Sequence, residues 1–481
     1  METSMAAAKG NGADKAPKKE DTSSKKPVKL FGTDGIRGTA NKFPITPQIA
    51  IKVGQALGYV LMKQPNRNKD NKRTVLIGKD TRLSGYMIEQ AIASGLNSMG
   101  VRVLLTGPLP TPGIGFVAQN MRADAGVVIS ASHNAFQDNG IKIFGADGFK
   151  IPAAMEEEIE RLVLGEDLTA HLSEPNEIGR SRRIDDASGR YIVFAKNTFP
   201  LNKSLDGLRI VLDCAHGAAY KVAPAIFEEL GAEVIVLANQ PNGRNINDKV
   251  GALYPAKTAE EVLRYRADVG ITLDGDADRV IMIDDLGRIV NGDHILAIVG
   301  LHKRQKGLLK NSTIVATEMS NVGLDVKLRE HGIKLLRTDV GDKYVVDEMR
   351  RSGYNLGGEQ SGHIICLDHS TTGDGCIAAL EVLAVMQEQE KKLSELNDLF
   401  VDMPQILINT RVKAKQDLAS LPGYTALVDS INKKLNGKGR TFIRFSGTEP
   451  VVRVLVEGPD QKQITEYAEE IASFLQSHLG K

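Results

Sequence analysis

Gly126-Val127-Val128-Ile129-Ser130-Ala131-Ser132-His133-Asn134 is the stretch on which the fold turns. Its β-branched run reads as a buried strand over 126–130, and the chain then passes at once into small polar side chains. Open α/β sheets bind their ligands just past the carboxyl ends of strands, which is where Ser132, His133 and Asn134 fall. A serine in such a loop is a nucleophile, a phosphoryl carrier, or a turn residue bonded to its own backbone. No GxSxG elbow surrounds it, so a hydrolase of that kind gains no support. The loop alone leaves these readings open.

Working outward, Thr46-Pro47 followed by Ile49, Val53, Ala56, Leu57 and Val60 predicts a capped helix with one apolar face. Strands over 74–78 and 101–105 flank a helix over 84–99. A second unit runs strand 209–213, helix 222–230, strand 233–237 and strand 269–273. A third has strand 313–317, helix 322–330, strand 334–336, a glycine-punctuated segment 357–375 and a helix over 378–390. Strand-like runs at 405–412, 442–445 and 451–456 then precede an amphipathic helix over 464–475. Strands alternating with helices predict layered α/β domains. The expected division is a disordered tail over 1–28, α/β domains over 29–185, 186–292 and 293–402, and a smaller domain over 403–481. The first three share a rhythm but no residue-level repeat.

Composition agrees with a multidomain enzyme. A chain of 481 residues exceeds one ordinary core, and 42% hydrophobic with 25% charged residues describes a soluble globular protein. With 61 basic against 60 acidic residues there is no global positive field, so no nucleic-acid partner is expected and any anion site is local. Cys214, Cys366 and Cys376 form no CxxC pair and fit a reducing compartment as buried thiols. The longest apolar runs, such as 295–299, fall far short of the roughly 20 residues that span a bilayer. A cytoplasmic protein without a membrane partner is expected. The tail carries lysines and acids but neither arginine nor an apolar stretch, so it matches neither a transit peptide nor a signal peptide.

Three further constellations carry chemistry. Asp274-Gly275-Asp276-Ala277-Asp278-Arg279 sets carboxylates at alternate positions after a strand. Alternate side chains share a side there, so their oxygens can converge on one hard cation, Mg²⁺ rather than Zn²⁺; the other reading is a solvated acidic turn. An EF-hand would need a longer loop with a terminal Glu. Arg279 either pairs with a carboxylate or sits on a phosphoryl group. Gly357-Gly358-Glu359-Gln360-Ser361-Gly362-His363 suits sugar hydroxyls, because a carboxylate bridges vicinal hydroxyls through charge-assisted hydrogen bonds; a surface turn is the alternative. Arg444, Ser446, Gly447, Thr448 and Arg453 gather the donors of a phosphate nest, or else form a basic surface strand.

In this order, the motifs resemble the α-D-phosphohexomutase family from about Lys29 to the end. Phe31-Gly32-Thr33-Asp34-Gly35-Ile36-Arg37-Gly38, Gly358-Glu359-Gln360-Ser361-Gly362-His363 and Thr371-Thr372-Gly373-Asp374-Gly375 look like its phosphoglucosamine mutase branch. The resemblance implies four domains around a central cleft, three related α/β domains and a smaller, mobile C-terminal sheet-and-helix domain. Ser132 matches the family's phosphoserine. Asp274, Asp276 and Asp278 match its Mg²⁺ ligands, one ion per chain, with a phosphoserine oxygen as a further ligand. Catalytic roles are implied for Ser132, Lys142, His363, Arg37, His133 and Arg279. Glu359 and Ser361 match the sugar loop, and Arg444, Ser446, Gly447, Thr448 and Arg453 the site of the non-reacting phosphate.

The implied reaction interconverts glucosamine 6-phosphate and glucosamine 1-phosphate through a glucosamine 1,6-bisphosphate that also primes the enzyme. It would supply UDP-N-acetylglucosamine synthesis. A phosphomannomutase or phosphoglucomutase is the alternative, and family analogy implies a homodimer. The proton-transfer group is expected to be His363, or Lys142 with its pKa lowered by the site, while His133 positions the loop. Asp342, in Val340-Gly341-Asp342-Lys343-Tyr344, stands where related mutases carry another acid/base candidate. Ala135 and Phe445 replace prolines usual in the family, which predicts looser loops at both places, and Lys343 replaces an arginine usual in the branch.

Overall fold

A computed structural model describes residues 29–65, 72–413, 415–446 and 450–480. The tail over 1–28, Gly447 and Thr448 lie outside the described residues. Four sheets follow one another along the chain. The first has seven strands in the spatial order Phe31–Gly32, Gly35–Thr39, Asp138–Gly145, Ala125–Ile129, Thr74–Lys79, Arg102–Pro108, Ser181–Arg183. The second has five, in the order Ile289–Val290, Val280–Asp284, Val269–Leu273, Arg209–Asp213, Glu233–Leu237. The third has four, Lys334–Thr338, Thr313–Thr317, Leu356–Gly358, Ile364–Cys366, and the last three, Gln405–Arg411, Val451–Glu457, Arg440–Phe445.

The first three sheets repeat one device. A parallel centre ends in a strand that turns back on itself as an antiparallel hairpin: Ala125–Ile129 with Asp138–Gly145, Val269–Leu273 with Val280–Asp284, Leu356–Gly358 with Ile364–Cys366. The first strand of each hairpin lies parallel to its other neighbour. The hairpin turns are residues 130–137, 274–279 and 359–363, the loops that carry Ser132, the three aspartates and the Glu359 motif. The repeat invisible in the residues is a repeat of topology.

Local chemistry sets the elements. Helix Pro47–Lys63 starts as expected, with Thr46 Oγ accepting from the Ile49 N–H at 3.3 Å and Pro47 where no amide hydrogen is needed. Strands 209–213, 233–237, 269–273 and 313–317 stand where their β-branched runs put them. Two elements override local preference. Strand Asp138–Gly145 begins with Asp-Asn-Gly, a turn-forming sequence, yet it pairs on both sides, with Ala125–Ile129 and with Gly35–Thr39. Helix Thr111–Asn120 contains Gly113 and Gly115, weak helix formers, but tertiary burial of Ile114, Val117 and Ala118 secures it.

One continuous apolar cluster joins the first three domains, running from Leu76 and Ile114 through Ile210 and Ile271 to Ile314 and Leu383. The far face of the first sheet packs separately on Val53, Leu57, Ile88 and Ile92. The C-terminal domain has a core of its own, around Ile431, Val454, Ile471 and Leu475. Among the described residues no helix is long and apolar enough to cross a membrane.

Candidate functional site

The three hairpin turns converge on one point. Ser132 is buried and adopts a φ of 50°, a left-handed conformation costing a non-glycine residue roughly 1–2 kcal/mol. The surroundings hold it there. Its N–H donates to Ser130 Oγ at 2.9 Å, and its carbonyl accepts from Arg82 Nη2 at 2.8 Å and from Asn247 Nδ2 at 2.9 Å. Ser130 is therefore the serine that serves the turn, while Ser132 Oγ is aimed outward and donates to Asp274 Oδ2 at 2.6 Å.

Arg82 is fully buried, binds Asp80 Oδ2 from Nε at 2.8 Å, and gives its terminal nitrogens to the carbonyls of Ser132, Asn134, Ala135 and Asp138. The looseness expected from Ala135 is corrected by this clamp, because Arg82 holds that very carbonyl. Neither Arg82 nor Asn247 was singled out by sequence. Arg82 had a signal, since it follows strand Thr74–Lys79 in the same post-strand position as Ser132. Asn247 had none, being carried in from the second domain.

Asp274, Asp276 and Asp278 are buried, with one oxygen from each lying within 4.8 Å of the others. Burial and the two neighbouring carboxylates push the Asp274 carboxyl well above its usual range. Burial opposes the charge on Asp278 as well, but Lys142 and His363 hold its carboxyl far below that range. Asp276 Oδ1 and Asp278 Oδ1 are buried without a hydrogen-bond partner. Orphaned oxygens, mutual repulsion and an all-oxygen donor set fit a hard cation, so the acidic turn is a candidate metal site, and its burial sets aside the reading of a solvated turn. Thr111 fixes it, with Oγ donating to Asp276 Oδ2 at 2.6 Å.

Lys142 is enclosed with its ammonium 3.1 Å from Asp276, 3.1 Å from Asp34 and 3.4 Å from Asp278. Burial works against its charge, yet these carboxylates raise its pKa well above the ordinary value. The expectation of a lowered lysine pKa is thus corrected: Lys142 is held as a cation. The His133 ring, its Nδ1 3.4 Å from Ser132 Oγ, is pushed down to about 4 by burial and by Arg279 and Arg37. Arg37 pairs with Asp34 and donates to the Ala131 carbonyl at 3.3 Å. Arg279 gives its backbone N–H to Asp274 Oδ1 at 3.1 Å and leaves Nε without a partner.

From the third domain, Glu359 accepts from the Gly341 N–H at 3.1 Å and from Ser361 Oγ at 3.2 Å. The buried His363 lies between two acids, Nδ1 3.6 Å from Asp278 Oδ1 and Nε2 3.7 Å from Asp342 Oδ2, and Nε2 accepts from the Gly373 N–H at 3.2 Å. Burial opposes a charge on the ring, but Asp278 and Asp342 raise its pKa. A cleft of about 540 Å³ covers these groups, lined by the opening motif, Ser132, Arg279, Asp342, Glu359 and His363 among others.

No described residue of the C-terminal domain lines this cleft. Arg444 and Arg453 stand directly opposite each other on neighbouring strands. Ser446 is buried beside them, with its N–H on the Val451 carbonyl at 2.8 Å. The structure thus brings together the candidates of the first three domains and keeps the described candidates of the fourth, Arg444, Ser446 and Arg453, out of the cleft lining.

Known proteins agree with this geometry. Residues 28–170, 190–287, 291–403 and 407–474 match, in order, phosphoglucomutase/phosphomannomutase α/β/α domains I, II and III and the C-terminal domain. The phosphoglucosamine mutase of Bdellovibrio bacteriovorus is 68% identical over 95% of this chain and 100% of its own length. That of Pelobacter propionicus is 55% identical over 94% and 99%. Among solved structures, a phosphoglucomutase/phosphomannomutase family protein from Burkholderia thailandensis superposes with a TM-score of 0.75 at 22% identity, covering 93% of this chain and 97% of that one. Aspergillus fumigatus N-acetylphosphoglucosamine mutase, in complex with GlcNAc-6P and magnesium, gives 0.63 at 18% identity, covering 94% and 96%. With its four domains matched in sequence and its hairpin turns gathered on one serine, the chain belongs to the α-D-phosphohexomutase family of isomerases, in the phosphoglucosamine mutase branch.

Proposed function

We propose that this chain interconverts glucosamine 6-phosphate and glucosamine 1-phosphate, with Ser132 as a reusable phosphoryl carrier. The observation that carries the reading is the Ser132 hydroxyl, aimed by a strained and clamped backbone at a carboxylate of the cation site. Asp274, Asp276 and Asp278 would hold Mg²⁺, which when bound offsets negative charge on a phosphoryl group at Ser132. Lys142, charged and fixed, adds a second positive contact to the same group.

Phospho-Ser132 gives its phosphoryl group to the O1 hydroxyl of glucosamine 6-phosphate, and the hydroxyl proton passes to His363, made more basic by Asp278 and Asp342. The 1,6-bisphosphate turns over in the cleft. Ser132 Oγ then takes the phosphoryl group back from O6, which recovers its proton, leaving glucosamine 1-phosphate and a recharged enzyme. Glu359, fixed by Gly341 and Ser361, reads sugar hydroxyls. Arg444, Ser446, Gly447, Thr448 and Arg453 grip whichever phosphate is not reacting when the C-terminal domain closes on the cleft.

Coupled assays with glucosamine, mannose and glucose phosphates test the sugar, and a catalytic efficiency highest for mannose 6-phosphate would overturn the choice. Intact mass before and after phosphatase, with peptide mapping, tests the carrier. Acid-stable phosphate on Ser132 is expected; base-labile acyl phosphate on an aspartate would refute it, as would mutase activity retained by Ser132→Ala.

A further inference from the structure

Lys150 lies outside every motif discussed so far. It follows the turn after strand Asp138–Gly145, where it bridges Phe144. Its ammonium sits between two carboxylates of different domains, 2.6 Å from Asp34 Oδ1 in the opening motif and 2.6 Å from Asp342 Oδ2 at the start of helix Asp342–Ser352. Those contacts complete a closed circuit of acidic and basic side chains. From Lys150 it runs through Asp34 to Lys142 at 3.1 Å, to Asp278 at 3.4 Å, to His363 at 3.6 Å, to Asp342 at 3.7 Å, and back. Every other member lines the cleft or touches the cation site.

Lys150 itself lines a second cavity, of about 260 Å³, in the seam between segment 149–153 and helix Asp342–Ser352. Asp342 faces both spaces. The Lys150 bridge is therefore part of the wall between seam and cleft. It also offsets part of the negative charge that two carboxylates present to an incoming sugar phosphate, in addition to Lys142 and Arg37 on Asp34 and His363 beside Asp342. Other contacts hold the seam: Lys343 to Glu156 at 3.2 Å, Arg350 to Asp147 at 3.2 Å, and Thr371 Oγ to the Gly148 carbonyl at 2.6 Å. Loss of Lys150 should leave the domains docked.

We propose that Lys150 is a positioning residue for phosphoryl transfer, one that neutralises and aims Asp34 and Asp342 and closes the cleft wall against water from the seam. The inference rests on the reading of Ser132 as a phosphoryl carrier. When the wall opens, water attacks the phosphorus of phospho-Ser132, the P–Oγ bond breaks, Ser132 recovers a proton and inorganic phosphate leaves.

The test compares full-length wild type, Lys150→Met, Lys150→Gln and Lys150→Arg with Mg²⁺ and the hexosamine phosphate, measuring kcat, KM and inorganic phosphate released per mutase turnover. Lys150→Met is expected to lose about 100-fold in kcat, the penalty of a catalytic group displaced by about an ångström. Its phosphate release per turnover should rise roughly tenfold as water gains access. Lys150→Arg, which keeps the charge, should recover most of the rate and the wild-type release ratio. Should Lys150→Met fail to fold, the polar, neutral and shorter Lys150→Gln carries the same comparison. A kcat/KM for the neutral variant within about threefold of wild type overturns the proposal. So does equal impairment of neutral and arginine variants at an unchanged release ratio, the mark of a merely structural lysine. Wild-type turnover without phosphate on Ser132 would refute the carrier reading instead.

Discussion

At the scale of single residues, the site is a balance of buried charges, and removing either sign should be legible. A chelator is expected to abolish mutase turnover and added Mg²⁺ to restore it. Mg²⁺ should also raise the unfolding temperature of the wild type but not of Asp276→Asn, measured by differential scanning fluorimetry. A second buried acid, outside the three-aspartate cluster, gives a pH signature of its own. Asp374 caps helix Gly375–Gln389, accepts from the Tyr191 hydroxyl at 2.9 Å, and is pushed up to about 6 by burial against those bonds. In the unfolded chain an aspartate titrates near ~3.9. Between pH ~4 and ~6 the folded state therefore binds a proton that the unfolded state has released, so stability falls as pH rises through that window, by about 3 kcal/mol in all. Asp374→Asn should gain unfolding temperature relative to wild type on going from pH 5 to pH 8. A difference independent of pH would refute this.

At the scale of elements, the candidate catalytic groups are carried by hairpin turns, and turns must be stiffened from outside. For the Ser132 turn the stiffener is Arg82, which serves the Ser132, Asn134, Ala135 and Asp138 carbonyls from a fully buried position. Arg82→Met leaves the buried Asp80 without its guanidinium and strips the four carbonyls of their shared clamp, Asn247 still serving Ser132 and Asn134, so a loss of about 3–5 kcal/mol is expected in urea denaturation. Mutase activity should fall with it, because Ser132 would relax from its left-handed φ. A variant that keeps wild-type stability would show that water replaces the clamp.

For the whole molecule, the distribution of cores sets what moves. The first three domains share one apolar cluster and act as a frame, whereas the C-terminal domain has its own and rests on a polar seat. Arg440 binds Glu318 Oε2 at 2.8 Å and the Ser320 carbonyl at 3.1 Å, while the buried Glu457 accepts from Arg440 and from the Val322 N–H. Arg440 and Glu457 pair at one end of the strands whose other end carries Ser446. These contacts anchor the domain at its base. Arg440→Ala should therefore raise KM by about tenfold with a smaller change in kcat, in steady-state assays at saturating Mg²⁺.

The sequence by itself determined the alternation of strands and helices, the post-strand position of each functional loop and the oxygen-only donor set of the acidic turn. These are local: β-branched runs, caps and carboxylate spacing act within a few residues. Strand Asp138–Gly145 was hidden because its Asp-Asn-Gly start favours a turn until sheet partners on both sides outweigh it. Arg82, Asn247 and Lys150 were hidden because their roles consist of contacts with residues distant along the chain. Tertiary structure alone decided that Ser130 serves the turn and Ser132 faces the aspartates. It also decided that Lys142 stays charged, since pairing in a buried space depends on which carboxylates the fold delivers there.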